Sequence, residues 1–349
     1  MQDGPPAEGR AGSEREGAQS MDRSVLAAIA ADLREGRVPV LSTEDFPCFS
    51  DEAVAGNRHV EPSYLGVLAC SLTADDAPTF ERALRAMDEG DLAWLGFKIV
   101  YDADEAQRNT DNEVTKKYGE TGSADGEPLV FFCNDAKEIV ASRPYSPRDM
   151  FQMKDVTRGP SMHNEQFEGL TWLSVPLFEQ VRVWLLGASD AASEVAALAD
   201  HVGFAVCVVD YDPAYVSEAR FPRARRIVLD GGNFDGLAEL ACAPEDYVCV
   251  LTRGHMFDPE GCVWATGHHA HYVGMMGCAG KNDRVHELVL AAGATEEDWE
   301  RVKRPIGLKF GAKTPAELAI AIVAELVDVR YKQRYSDEAR ERHEKSLGR

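Results

Sequence analysis

Apolar residues in the second half of the chain recur in short runs that are separated by amphipathic stretches. Strands are predicted at 181–186, 205–210, 225–229, 246–252 and 271–276, with helical segments between them. Short apolar runs that alternate with helices are typical of a parallel sheet with right-handed crossovers. A final helix is predicted from Pro315, capped by Thr314, to Arg330. The pattern indicates an α/β protein with a C-terminal Rossmann-like parallel sheet that carries helices on both faces.

The first half of the chain is less regular and predicts a smaller α/β domain. One helix is expected around Leu26, Ile29 and Leu33, which share a face, and a second from Phe80 to Asp88. Strands are predicted in the apolar runs 38–43, 64–72, 92–101 and 129–133. The polar stretch 102–127 is interpreted as a loop or lid.

Composition suggests where these domains begin and end. Residues 1–20 contain no large apolar residue apart from Met1, which predicts a disordered leader. Residues 21–142 are assigned to the N-terminal domain. The proline-rich residues 143–180 are interpreted as an interdomain connection. Residues 181–330 form the predicted C-terminal domain, and residues 331–349 a solvated helical tail.

The net charge indicates which partners the protein can bind, and the cysteines indicate its redox compartment. The chain has 37 basic and 59 acidic residues, a net charge of −22, which argues against nucleic acid or an anionic membrane as a partner. We find no apolar run of membrane-spanning length and no secretion signal. The 8 cysteines are scattered without a Cys-x-x-Cys pair, so we expect reduced thiols and a cytoplasmic protein.

A glycine turn joins the first two strands of the C-terminal domain. Its sequence, Gly187-Ala188-Ser189-Asp190, resembles the start of the dinucleotide fingerprint G-x-G-x-x-G/A, with Ala192 in sixth place. Asp210 ends the next strand, where an acid would accept the ribose hydroxyls. Ser189 replaces the second glycine, and Asp190 is expected to cap the helix and repel an incoming anion. The turn therefore predicts a β-α-β unit with weak affinity for NAD(P).

Ligands of open parallel sheets bind outside the carboxyl ends of the strands. Four turns are predicted at these ends, and we expect them to face one crevice. Their candidate cofactor-binding residues are Gly187, Ala188, Ser189 and Asp190; Asp210 and Tyr211; Thr252, Arg253, Gly254 and His255; and Gly274, Met275, Gly277 and Cys278, followed by Lys281.

Some of these side chains carry specific chemistry. Arg253 can bind a phosphate in bidentate fashion, and His255 can move a proton near neutral pH. A Cys278 thiolate would be stabilised by Lys281 and by a helix N-terminus. Ordinary structural roles remain as alternatives: Asp210 as a helix cap, the turn around Arg253 as a polar surface loop, and Cys278 as a small apolar residue.

Histidines and cysteines are concentrated between residues 255 and 278. The residues in question are His255, Cys262, His268, His269, His271 and Cys278. Their spacing fits no structural zinc pattern, so no metal site is predicted.

Several segments beyond the glycine turn point to one family. Tyr247–Asp258, Tyr272–Cys278 and Pro305–Ala319, together with Val208-Val-Asp210 and Phe221-Pro, closely resemble the C-terminal domain of the XdhC/CoxI family. The N-terminal half resembles that family only in Leu33–Val40. The Gly-Ser-x-Pro-Arg and Gly-Gly-Cys-x-Glu segments of the family have no counterpart in this chain.

Members of the XdhC/CoxI family are maturation factors for molybdenum hydroxylases such as xanthine dehydrogenase. The resemblance implies that the protein binds the molybdenum cofactor (molybdopterin), protects it during sulfuration and passes it to the apo molybdenum hydroxylase. It also implies a cysteine desulfurase as a further partner and no catalytic residues. The resemblance leaves open whether the protein forms a homodimer. The alternatives from other classes are an NAD(P)-dependent oxidoreductase and a non-catalytic scaffold for the partner enzyme.

Overall fold

The structure, a computed structural model, describes residues 21–46, 49, 61–110, 127–156, 168–277, 279–335, 337, 340 and 341. The chain divides into two compact units, and the division falls between Glu179 and Gln180. The predicted leader and nearly all of the predicted tail beyond Tyr335 lie outside the described residues.

The N-terminal unit is a sheet with helices on both faces. Its elements are α1 (Arg23–Arg34), α2 (Tyr64–Ser71), α3 (Ala77–Glu89), β1 (Ala93–Val100), α4 (Ala103–Thr110), β2 (Leu129–Asn134), β3 (Ile139–Ala141), α5 (Pro147–Met153) and β4 (Leu170–Pro176). Within the described residues this sheet has four strands in the order β3-β2-β1-β4, all antiparallel.

Alternate side chains of β1 enter two separate cores. Phe97 and Ile99 pack with buried residues of α1, α2 and α3, whereas Trp94 packs on the opposite face with residues of α4 and α5. A strand that is buried on both faces is a near-continuous apolar run rather than an alternating one. This explains why β1 and β2 could be predicted from the sequence.

The segment Tyr64–Ser71 is helix α2, with Leu72 as its C-cap, so the predicted strand at 64–72 is wrong. Its buried residues Leu65, Leu68 and Leu72 are spaced three and four apart, which places them on one helical face. Short apolar runs fit a buried strand and a buried helix equally well, and periodicity alone does not separate them.

Three further predictions for the N-terminal half need correction. Residues 38–43 form no strand: Pro39 lacks a backbone N–H, and Val40 is 90% exposed. The predicted loop or lid at 102–127 begins with helix α4, and residues 111–126 lie outside the described part. The predicted connection 143–180 contains α5 and β4. β4 pairs with β1 at the sheet edge, where Pro176 is tolerated at the end of the strand.

The C-terminal unit confirms every strand and the final helix predicted for it. Its elements are β5 (Arg182–Leu186), α6 (Asp190–His201), β6 (Ala205–Asp210), β7 (Arg225–Val228), β8 (Tyr247–Val250), α7 (Asp258–Gly267), β9 (Tyr272–Met275), α8 (Ala279–Ala291), α9 (Glu296–Arg301), β10 (Val302–Lys303) and α10 (Pro315–Arg334).

These strands form the predicted Rossmann-like parallel sheet. Within the described residues it has six strands in the order β10-β9-β8-β5-β6-β7, and every pair is parallel. One face of the sheet packs on α6 and α10, and the other on α7, α8 and α9. The chain moves outward from β5 to β7 and then returns to β8 on the other side of β5. The strand order therefore reverses between β5 and β8.

The final helix α10 begins where the sequence predicts. The hydroxyl of Thr314 accepts the backbone N–H of Glu317, whose carboxylate accepts the N–H of Thr314 in return, a reciprocal N-terminal cap. Neither α10 nor any other described helix is both long and apolar enough to cross a membrane.

The central position of β6 gives a test of the sheet assignment. Val206 is 5% exposed, so Val206→Asp buries a charge and should destabilise the C-terminal unit by about 3–5 kcal/mol. Val228 of the edge strand β7 is 44% exposed, so Val228→Asp should change the free energy of unfolding by no more than about 0.5 kcal/mol. Calorimetric unfolding of the full chain measures both variants. Equal effects would contradict the assignment of β6 as a central strand.

Candidate functional site

The carboxyl ends of β5 and β8 approach each other at the point where the strand order reverses. Gly187 follows β5 with φ of +105°, and a Cβ atom added to it would lie 2.5 Å from Cα of Thr252. No side chain fits in that gap, and non-glycine residues avoid this φ. The close approach explains the glycine at position 187 without reference to a ligand.

Asp210 joins three of the four predicted turns. It ends β6 and is 1% exposed. Oδ2 accepts the backbone N–H of Ala188 at 2.8 Å, and Oδ1 accepts that of Asp212 at 3.1 Å. Arg253 donates to the same carboxylate through Nη2 at 3.0 Å and Nε at 3.4 Å. The carboxylate thus fixes the turns after β5, β6 and β8 relative to one another.

The guanidinium of Arg253 is held by charge and by aromatic rings. It lies 3.7 Å from the ring centroid of Tyr215 and 5.2 Å from that of Tyr211, and its Nη2 is 3.5 Å from Oδ2 of Asp212. Partial burial lowers the pKa of Arg253, but the hydrogen bond and charge of Asp210 outweigh it, so the net pKa is raised. Among the described residues, Nη1 has no hydrogen-bond partner. Arg253 is therefore a permanent cation whose remaining donors are the two N–H groups of Nη1. Its Nε and Nη2 donors, which a bidentate phosphate would use, are taken by Asp210.

The start of α6 differs from the prediction that Asp190 caps it. Ser189 is the cap, since its hydroxyl accepts the N–H of Ala192 at 3.2 Å. Asp190 is exposed and pairs with Arg220 at 2.9 Å, and the same guanidinium donates to the carbonyl of Ala188 at 2.9 Å. The predicted repulsion of an anion by Asp190 is thus offset by a cation from the segment after β6.

The turn after β8 forms a second hydrogen-bonded group. Asp258, the first residue of α7, is 1% exposed and accepts from the hydroxyl of Thr252. Its Oδ2 lies 2.8 Å from Nδ1 of His255. Gly254 and His255 have φ of +66° and +61°, so two successive residues are left-handed. This backbone turns the imidazole back toward the start of α7.

The fourth predicted turn, after β9, is joined to β8 rather than to Asp210. The N–H of Met276 donates to the carbonyl of Val250 at 3.0 Å. A Cβ at Gly274 would lie 2.6 Å from the Ile306 side chain, and one at Gly277 would lie 2.4 Å from Oδ1 of Asn282. Both glycines are thus explained by packing.

Two of the predicted residues lie wholly or partly outside the described part of the structure. Cys278 lies outside the described residues. Lys281 is in α8, but its side chain is not among those described. Within the described part of the chain, no group of three or more His, Cys, Asp or Glu side chains is arranged to hold a metal ion.

Sequence reasoning missed three residues that shape the site, namely Tyr215, Arg220 and Asp258. Tyr215 and Arg220 come from the irregular segment after β6, which carries no periodicity. Asp258 could have been predicted from the sequence. The pattern His255-x-x-Asp258 places an acid three residues after a histidine, in a turn that precedes a helix.

The doubly wound sheet and the residues gathered at its reversal point define a Rossmann-type domain. Residues 183–326 match the XdhC Rossmann domain. The family resemblance predicted from the sequence motifs is therefore confirmed for the C-terminal domain.

Two relatives and one solved structure show the extent of similarity. The chain is 29% identical to a Bacillus subtilis protein described as a probable xanthine dehydrogenase subunit, over 51% of its own length and 52% of the relative. It is 26% identical to "Uncharacterized protein YqeB" of Escherichia coli, over 43% of its length and 27% of that protein. The chain thus spans about half, or less, of these relatives.

The solved structure is the crystal structure of a xanthine dehydrogenase from Bacillus halodurans. The alignment covers 74% of this chain and 68% of that one, with 18% identity and a TM-score of 0.42.

The role of Asp210 as the link between three turns can be tested by an isosteric change. Asp210→Asn keeps one acceptor oxygen but loses the charge and turns an NH₂ group toward a backbone donor. The buried position should make this cost about 2–4 kcal/mol of stability. Asp230→Asn, at an exposed carboxylate of the same unit, should be neutral. Chemical denaturation of both variants provides the measurement, and a stable Asp210→Asn protein would contradict the role.

Proposed function

We propose that the protein is an accessory factor for a molybdenum hydroxylase of the xanthine dehydrogenase type. In this proposal the C-terminal domain binds the molybdenum cofactor at the carboxyl edge of its sheet, and the protein passes the cofactor to the apoenzyme. The protein performs no turnover of its own in this role.

The match to the XdhC Rossmann domain is the observation that carries the proposal. It spans residues 183–326, and this range includes the Gly187 turn, Asp210, Arg253 and Asp258. The name of the Bacillus subtilis relative also refers to xanthine dehydrogenase. The family similarity and the edge where α/β sheets bind their ligands thus coincide in one set of residues.

The residues at this edge fit a ligand with one anionic group and a flat ring system. Arg253 is fixed in place by Asp210 and retains the two N–H donors of Nη1. The N-terminus of the 12-residue helix α6 adds a partial positive charge. Tyr211 and Phe257, whose ring centroids are 5.4 Å apart, are both only partly buried and provide aromatic surface beside Arg253.

The positive charges at this edge are largely compensated by neighbouring carboxylates. Asp210 and Asp212 compensate the charge of Arg253, and Arg220 compensates Asp190. Binding of an anion therefore depends on the donor directions of Arg253 and of the backbone, more than on net positive charge. When bound here, the molybdenum cofactor would supply the metal centre that the client enzyme uses.

The same proposal covers the partners and the compartment. We propose the apo-hydroxylase as the recipient, with a cysteine desulfurase and a second copy of this chain as further partners. The cytoplasm is the compartment we propose, in line with free thiols at the described cysteines, which are Cys70, Cys133, Cys207, Cys242, Cys249 and Cys262.

Release of bound pterin tests the proposal directly. Protein purified from a molybdate-fed host should release a fluorescent pterin on denaturation. Arg253→Lys keeps the charge, but a compact ammonium cannot hold Asp210 through two nitrogens and still present a separate donor to the ligand, so the released pterin should fall about tenfold. Arg223→Lys, at an exposed arginine of the same unit, should leave it unchanged.

The outcomes separate the alternatives. A wild-type protein that releases no pterin contradicts cofactor binding. If it still binds the apo-hydroxylase, the protein is a scaffold. If it oxidises NADH or NADPH with a small substrate, it is an oxidoreductase. Equal pterin release from wild type and Arg253→Lys would remove Arg253 from the site.

A further inference from the structure

The His255–Asp258 pair has the geometry of an oriented proton acceptor. Asp258 is 1% exposed, and its carboxylate binds the hydroxyl of Thr252 through Oδ1 and Nδ1 of His255 through Oδ2, the latter at 2.8 Å. The hydroxyl of Thr252 also accepts the N–H of Phe257 at 3.4 Å. The Thr252 hydroxyl therefore holds the carboxylate independently of the imidazole that it orients.

This arrangement determines which nitrogen of His255 carries the proton. A carboxylate oxygen only accepts, so a neutral imidazole donates its Nδ1–H to Asp258 and has a lone pair at Nε2. Among the described residues Nε2 has no hydrogen-bond partner. His255 retains about a quarter of its side-chain surface, so Nε2 is open to a ligand or to water.

The backbone conformation of His255 sets the direction of its ring. The residue has φ of +61°, in the left-handed region, where histidine is enriched among non-glycine residues. The contacts of Thr252 with Asp258 and Phe257 already close the turn, so its closure does not depend on the imidazole.

We propose that His255 is the proton acceptor of this site. Its ligand carries an anionic group, bound by Arg253, and an ionisable thiol or hydroxyl. The proton leaves the S–H or O–H group and bonds to Nε2, the electron pair stays on sulfur or oxygen, and the resulting imidazolium is paired with Asp258. Asp258 is the positioning residue. The proposal rests on the proposed function only for the identity of the ligand.

The tautomer of His255 is the first test, and it needs no cofactor. Nitrogen-15 NMR of histidine-labelled full-length protein, at a pH where the ring is neutral, should show the proton of His255 on Nδ1. In Asp258→Asn the side-chain amide no longer requires a donor, so the population with the proton on Nε2 should increase. A wild-type protein with the proton on Nε2 would overturn the proposal.

The second test asks whether His255 and Arg253 share one site. Titration with inorganic pyrophosphate should shift the His255 ring signals in a saturable way, and Arg253→Lys should weaken this response about tenfold. The ring signals of His269, an exposed residue elsewhere in the unit, should not move. Failure of His255 to respond in the wild type would separate it from the anion site and refute the shared ligand.

A third test separates proton transfer from binding. His255→Asn suits the left-handed backbone but removes a donor from the buried Asp258 carboxylate, so its unfolding temperature should fall by only a few degrees. The control His269→Asn, also left-handed at φ of +56°, should keep or raise it. In a host carrying each variant as its only copy, His255→Asn should lower client hydroxylase activity about tenfold or more beyond any fall in bound pterin. His269→Asn should not. Matching falls in activity and pterin would make His255 a binding residue and contradict the proposal.

The two proposals fail in different ways. A wild-type chain without pterin refutes cofactor binding, while the tautomer and the pyrophosphate response still decide the role of His255. If the wild-type chain contains pterin but neutral His255 carries its proton on Nε2, only the proposed role of His255 is refuted.

Discussion

The carboxylate of Asp210 is the interaction on which the C-terminal site depends. A nearly fully buried charge is costly unless hydrogen bonds and an opposite charge compensate it. Here two backbone N–H groups and Arg253 do so, and each belongs to a different turn. The requirement to satisfy one buried carboxylate therefore fixes three loops at once. Any ligand that approaches this edge meets a surface whose donors already have set directions, which is how a binding site avoids the cost of ordering its own groups.

The same network explains why a Rossmann turn need not bind a dinucleotide. Both backbone groups of Ala188 are in use: the N–H donates to Asp210, and the carbonyl accepts from Arg220. Ser189 caps α6 with its own hydroxyl. In the dinucleotide fingerprint these positions are free so that a pyrophosphate can approach the backbone. A glycine is required at position 187 for another reason, which is the close contact between the ends of β5 and β8.

The N-terminal unit shows how a buried charge shapes a sheet for which the family resemblance gives little guidance. Lys98 in β1 is 2% exposed and lies 2.9 Å from Asp149, which also belongs to the N-terminal cap of α5. The ion pair ties α5 to the face of the sheet that carries Trp172. Asp149 lies in a stretch, 143–180, that the sequence alone predicts to be a connection. The prolines dominate the local pattern there, whereas the pairing of β4 with β1 is a long-range contact.

The sequence by itself determined the C-terminal sheet, because its strands are short apolar runs, its final helix has a clear cap at Thr314, and both signals are local. It also placed Gly187, Asp210, Thr252, Arg253 and His255 at strand ends. It could not decide whether 64–72 is a helix or a strand, since a short buried apolar run satisfies both. Only the tertiary structure showed that Arg220 offsets Asp190, that Tyr215 stacks on Arg253 and that Asp258 orients His255. Ion pairs and ring contacts of this kind depend on where irregular loops lie in space, and local periodicity carries no information about that.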